Sequence, residues 1–191
     1  MPDKYASFAE LSAAEAKSAY RIELRETGSS VALIAPHAGE IEPGTSQICK
    51  SVAGDDLTYY LFEGCKANNN RDLHITSSLF DEPKGLRIAQ SARIVITFHG
   101  QAGKDLFVNV GGLADDLRTS MITKIKLAGF VAGSQTNPML QGRDPNNICN
   151  RGFERKGLQL EISRGLRDLL ISNQDEMDHF SFTIRSALHG L

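Results

Sequence analysis

Apolar residues in this chain fall into short β-branched or aromatic runs separated by stretches of helical period. Runs at 20–26, 31–36, 57–63, 93–98, 106–110, 129–132 and 158–162 each read as a strand. Between them the spacing predicts helices over about 47–53, 85–92, 112–127, 165–173 and 175–188. A further helix runs to about residue 19 and opens on Ser7, with Glu10 three residues later as its capping-box partner. Thr45 or Ser46 is expected to cap the helix at 47–53. Two long polar stretches, 66–83 and 134–157, read as loops, and loops of that length in a compact domain are often functional. The alternation predicts an α/β fold: a single-domain mixed sheet flanked by helices on both faces.

Composition narrows the function classes. A chain of 191 residues suits one domain. Its formal net charge of -2 argues against a nucleic-acid binder, which usually carries a basic excess. A polyanionic substrate stays open, because local arginines can act inside a cleft of a near-neutral molecule. Cys49, Cys65 and Cys149 lack CxxC spacing, so they signal neither a disulfide framework nor a zinc knuckle and are expected as buried thiols. No run has the form of a signal-peptide core or a membrane span. The expectation is a protein made in the cytoplasm with no membrane partner, for which release by cell lysis remains open.

The candidate chemistry lies at the ends of three strands. VALIAPH, RIVITFH and GLQLE carry His37, His99 and Glu161. Strand ends form the binding crevice of open α/β sheets. Imidazoles with a carboxylate also make the ligand set of a catalytic zinc site that keeps one position for water. In HAGEIE, Glu40 and Glu42 follow His37 by three and five residues, and either can turn back onto an ion held by His37. Gly100 after His99 lets backbone or ligand approach closely. Glu161 shares a strand face with Gln159 and Ser163, opposite Leu158, Leu160 and Ile162. Together these residues match a three-ligand metal site plus a general base.

Four motifs in order, APHAGEIEPGTSQI, LHITSSLFDEP, ITFHG and NRGFERKGLQLEISRGLR, resemble the poly-γ-glutamate hydrolases of bacteriophages and their bacterial relatives. The resemblance runs from YASFAEL to SRGLR and implies a compact zinc-carboxypeptidase-like core, with the whole chain (1–191) one catalytic domain. Where that family reads PHGGGIEPGT, this chain has Ala38 and Glu40 in place of two glycines. Aligning IEPGT makes Glu42 the metal ligand, while Glu40 creates the His-x-x-Glu spacing of larger carboxypeptidases.

The resemblance implies one Zn²⁺ held by His37, Glu42 and His99, with Glu161 as general base and then acid. It implies Arg151 as the group that steadies the developing oxyanion. Asn150 and Arg151 are its implied contacts to an anionic polymer, poly-γ-glutamate, degraded as a capsule; Arg164 and Arg167 can grip further carboxylates, and His74 can orient the metal site or touch substrate. A chain this short has little sequence to wall off one side of a groove, so internal cleavage is expected. Two other readings stay open: a peptidoglycan amidase or endopeptidase using the same metal chemistry, and a polyanion-binding module with a structural metal.

Overall fold

The apolar runs become seven strands in this computed structural model, which describes residues 3–190. They are β1 (Tyr20–Arg25), β2 (Val31–Gly39), β3 (Thr58–Gly64), β4 (Ile94–Gln101), β5 (Phe107–Gly111), β6 (Val131–Ser134) and β7 (Leu158–Ser163). One mixed sheet holds them all in the order β1-β3-β2-β4-β7-β5-β6. The four central strands, β3, β2, β4 and β7, run parallel. Antiparallel pairing joins β1 to β3 and β5 to β7, and β6 pairs parallel with β5.

Alternation along these strands sorts the side chains into two layers. Leu33, Ile96, Phe98, Val108, Leu160 and Ile162 meet helices α2 (Thr45–Ala53), α4 (Asp115–Leu127), α5 (Arg164–Ser172) and α6 (Gln174–Leu188). On the opposite face Ala32, Ile34, Tyr60, Phe62 and Val95 meet α1 (Phe8–Ala14), α3 (Pro83–Ser91) and the segment from Leu73 to Phe80. Helices therefore cover both faces, as the alternation predicts.

Several local expectations change. The first helix ends at Ala14 and is followed by a separate 3-10 turn, Lys17–Ala19. Gly44, in a left-handed conformation, occupies the cap of α2 in place of Thr45 or Ser46. The two hydroxyls are used elsewhere, Thr45 donating to the Glu42 carbonyl and Ser46 to the Glu63 carboxylate. Cys49 and Cys149 are buried, and desolvation pushes both thiols well above their ordinary range; Cys65 is exposed. Among the described residues no helix is long and apolar enough to cross a membrane.

One irregularity decides where the chemistry faces. β2 shifts register between Ala35 and Ala38, so Pro36 and His37 together span the place of one residue on β3. Proline lacks the N–H that a central ladder requires, and bulges are where such residues are tolerated. Strict alternation would send His37 to the same side as Leu33 and Ala35, beneath α2. The extra residue instead turns it to the other face, while Ala38 keeps its place in the core under α2.

Gly157 locks the start of β7 between β4 and the turn at 148–150. A Cβ there would overlap the carbonyl oxygens of Cys149 and Val95, both backbone atoms. Overpacking of this kind costs ~1–3 kcal/mol. Gly157→Ala is therefore expected to lower the melting temperature by roughly 3–10 °C. Differential scanning fluorimetry checks this, and an unchanged melting temperature would show that the contact relaxes freely.

Candidate metal centre and catalytic site

Three elements bring His37, Glu42 and His99 together on the face of the sheet that the bulge selects. Their ligand atoms all lie within 4.8 Å of one another. His37 sits on the bulge of β2, and His99 is the sixth residue of β4. Glu42 lies in the turn between β2 and α2. That turn is pinned by the Ser46 hydroxyl, which accepts from the Gly39 N–H and donates to Glu63. Glu40 is exposed, its N–H bonded to the Gly64 carbonyl, so Glu42 is the acid that joins the two imidazoles.

The hydrogen bonds set the protonation of the cluster. His37 Nε2 donates to the Ile75 carbonyl at 2.7 Å, which leaves Nδ1 as the ring nitrogen facing the cluster. That Nδ1 stands 3.2 Å from His99 Nδ1, and burial holds the His99 imidazole down to about 3, so it is neutral. His99 Nε2 is buried without a partner among the described residues. Glu42 Oε2 accepts from the Gly100 N–H at 2.8 Å. Burial alone would raise the Glu42 carboxyl, but His37 first, then His99 and the Gly100 N–H, outweigh it and hold the group at about 2. Two imidazole nitrogens and an ionised carboxylate converge, the donor set a divalent ion takes. Nitrogens ~2.0–2.1 Å from one tetrahedral ion stand roughly 3.3 Å apart, close to the observed separation. The residues fit a metal.

Glu161 faces the same space. It is the register partner of His99 across β4 and β7, and it is buried. Its Oε1 accepts from Gln159 Nε2 at 2.8 Å, leaving Oε2 as the atom that can take up a proton. Burial first, and then the Glu42 charge, push its carboxyl up to about 8. His74 stacks on His37 with centroids 3.8 Å apart, and its Nδ1 donates to Asp3. Desolvation holds it far below the ordinary imidazole range, so it acts as a neutral plate behind a ligand.

The remaining sequence candidates lie elsewhere or act differently. Arg167 is 4% exposed. Its guanidinium donates to three carbonyls: Pro43 in the Glu42 turn, Gln101 at the end of β4 and Ile162 on β7. A Cβ on Gly100 would stand 2.7 Å from Arg167 Cζ, so the glycine makes room for this clamp. Arg164 is exposed and pairs with Asp168 along α5. Asn150 is fully buried, donating to the Gly142 and Asp144 carbonyls and accepting from Gly157 N–H, which leaves it nothing for substrate. Arg151 donates to the Asn146 carbonyl. Its neighbours Phe153 and Glu154 bond to the Ala92 and Arg93 carbonyls, just ahead of β4. The same loop reaches the site through Asn147, whose Nδ2 donates to Gln159 Oε1. Sequence reasoning missed Gln159, which orients Glu161, and Asp3, which orients His74; alternation on β7 was the available signal for the first.

Residues 5–182 match a family model described as poly-gamma-glutamate hydrolase. UPF0714 protein YndL of Bacillus subtilis (strain 168) is 38% identical over 170 residues, covering 88% of this chain and 67% of that protein. A solved structure described as "YNDL-apo (Zinc-free)" superposes with a TM-score of 0.94 at 33% identity, covering 99% of this chain and 98% of the other. A second, "Structure of Bacteriophage poly-gamma-glutamate hydrolase", gives a TM-score of 0.91 at 31% identity, covering 98% and 97%.

Arg167 ties together the three segments that carry Glu42, His99 and Glu161. Arg167→Met is expected to weaken metal binding about 10–100-fold, the usual effect of losing a group that orients ligands. Arg167→Lys should restore little, since an ammonium cannot reproduce the planar fork. Competition against a chromophoric chelator measures both, and a full-affinity Arg167→Met protein would remove the clamp from the site.

Proposed function

The chain belongs to the poly-γ-glutamate hydrolase family, and we propose that it is a zinc enzyme cleaving γ-glutamyl amide bonds within the polymer. The observation that carries this reading is the convergence of His37, Glu42 and His99 on one point, with Glu161 paired across the strand from His99. Three protein ligands, rather than four, favour a catalytic over a structural metal. In this reading the whole chain acts as one catalytic domain.

His37, Glu42 and His99 would hold the ion. When bound, zinc supplies Lewis acidity, polarising an amide carbonyl and making water acidic near neutral pH. The protein's own groups do the rest. Glu161 Oε2 accepts the proton of the attacking water and delivers it to the leaving amide nitrogen, while Gln159 keeps Oε1 in place. Burial strengthens Glu161 as a base and excludes competing solvent from the transfer. His74, fixed by Asp3, keeps the His37 ring from tilting. Arg167 holds the Glu42 turn against the ends of β4 and β7 from behind. Internal cleavage is supported by the half-exposed Gln101 and Asn109 on the sheet beside Glu161, where an end-trimming enzyme would need a wall.

Purified protein incubated with poly-γ-glutamate should shorten it, with mean chain length falling before free glutamate accumulates on size-exclusion chromatography. Chelator should stop the reaction and zinc should restore it. Glu161→Gln is expected to keep metal binding and melting temperature while lowering kcat by ~10²–10⁴-fold. Chelator-insensitive shortening, or full turnover in Glu161→Gln, would defeat the mechanism.

A further inference from the structure

Beside the metal cluster, on the same face of the sheet, three side-chain amides form a chain whose polarity is fixed by the backbone. Gln135 Oε1 accepts from the Asn137 N–H at 3.0 Å, so its Nε2 must point the other way. That Nε2 donates to Gln101 Oε1 at 3.1 Å, and Asn109 Nδ2 donates to the same oxygen at 3.3 Å. With Gln135 anchored, neither of the other two amides can be reversed without setting donor against donor. Two groups are left over: the Gln101 Nε2 donor pair and the Asn109 Oδ1 acceptor, neither bonded to another described residue. Both side chains are half-buried, accessible from one side only.

Their position ties them to the chemistry. Asn109 is the register partner of Glu161 across β5 and β7, and Gln101 is opposite Ser163, two residues on from His99. Neighbouring strands stand about 4.8 Å apart, so the acceptor on β5 lies one strand from the acid that moves the proton.

From this geometry we infer that Gln101 and Asn109 form a substrate subsite that reads the amide linkage next to the one being cut. Asn109 Oδ1 takes an amide N–H of the polymer, and Gln101 Nε2 gives a hydrogen bond to a carbonyl. The inference rests on the hydrolase reading above and deepens it, specifying a chain linked by secondary amides. A γ-glutamyl unit extends roughly 6 Å, two C–C bonds more than an α-peptide unit. A linkage one unit from the cleaved bond therefore falls over β5. The partly dry setting gives the pair its discriminating power, since a ligand lacking the N–H leaves Asn109 Oδ1 unpaired under the substrate.

The test uses the zinc-loaded enzyme and synthetic γ-glutamyl oligomers in which one non-scissile amide N–H at a time is replaced by an ester oxygen. For one replacement position the wild type should favour the all-amide oligomer by about tenfold or more in kcat/KM. Asn109→Leu should lose that preference, and Gln101→Leu should raise KM for the all-amide oligomer about tenfold with kcat changed less than threefold. Lys126→Gln, an exposed change at the far end of α4, should match the wild type. Equal wild-type cleavage of amide and ester oligomers at every position would overturn the subsite, as would an unchanged preference in Asn109→Leu. If the wild type cuts no γ-glutamyl oligomer at all, the hydrolase reading fails. Affinity of the metal-free protein for the same oligomers then decides the subsite separately. Amide-selective binding lost in Asn109→Leu supports it, and unselective or absent binding overturns it.

Discussion

A carboxylate kept ionised beside two buried imidazoles is the constraint on which the site depends. Burial opposes the charge on Glu42, and only the adjoining imidazoles and the Gly100 N–H keep it. A second acid, Glu161, shares the space and cannot ionise as readily, which is why its carboxyl rises to about 8. Like charges in a poorly solvated volume divide in this way, and the charge of a bound cation would let both ionise, as a base at Glu161 requires. Nδ1 of His37 faces Nδ1 of His99 at 3.2 Å beside that carboxylate. Such a cluster is electrostatically incomplete, and a cation is the complement its geometry calls for.

The fold assembles that cluster by means that do not themselves touch substrate. A single inserted residue at Pro36–His37 turns one ligand to the correct face. Parallel pairing of β4 and β7 sets His99 opposite Glu161 with no further device. The third contribution is Arg167, which links the Glu42 turn to both strands through three carbonyls. Each buried carbonyl left unpaired costs roughly 1–3 kcal/mol, so the turn is strongly held. Tight holding matters because an ångström of misplacement can cost ~100-fold in rate. A residue expected to grip an anionic polymer from outside thus acts from within, on the loop that carries a ligand.

Much of this was legible in the sequence. Strand and helix succession follows from periodicity, and His37, His99 and Glu161 stand out because polar groups end apolar runs. Glu42 rather than Glu40 could be chosen through the IEPGT match alone; spacing left both open. The bulge at Pro36 has a visible cause, proline inside a central strand, but its consequence for side-chain direction appears only once β3 is paired alongside. The surroundings of three other candidates were not legible. Asn150, Arg151 and Arg167 sit in or beside segments whose path over the sheet is set by long-range contacts, and residue type says nothing about which end of a strand a loop will reach. An arginine in a polar sequence reads as solvated, whereas Arg167 lies under Gly100 because three distant carbonyls converge there.

The two halves of the site face differ in a way that bears on what they can do. Over β2 and β3 that face is sealed by α1, α3 and the Leu73–Phe80 segment, so His37 and His99 sit in a dry wall. Over β5 the same face carries Phe107 and Asn109, both half-buried, and the chain of amides leading to Gln135. Glu161 stands at the seam. A proton-transferring acid gains basicity from the dry side and needs a route to water and substrate from the wet side, and a position on the boundary supplies both. An amide polymer laid across the wet half meets groups of its own kind, which can replace the water it sheds hydrogen bond for hydrogen bond. On the proposed reading, ligands in the sealed half and polymer recognition in the open half could each be built without compromising the other.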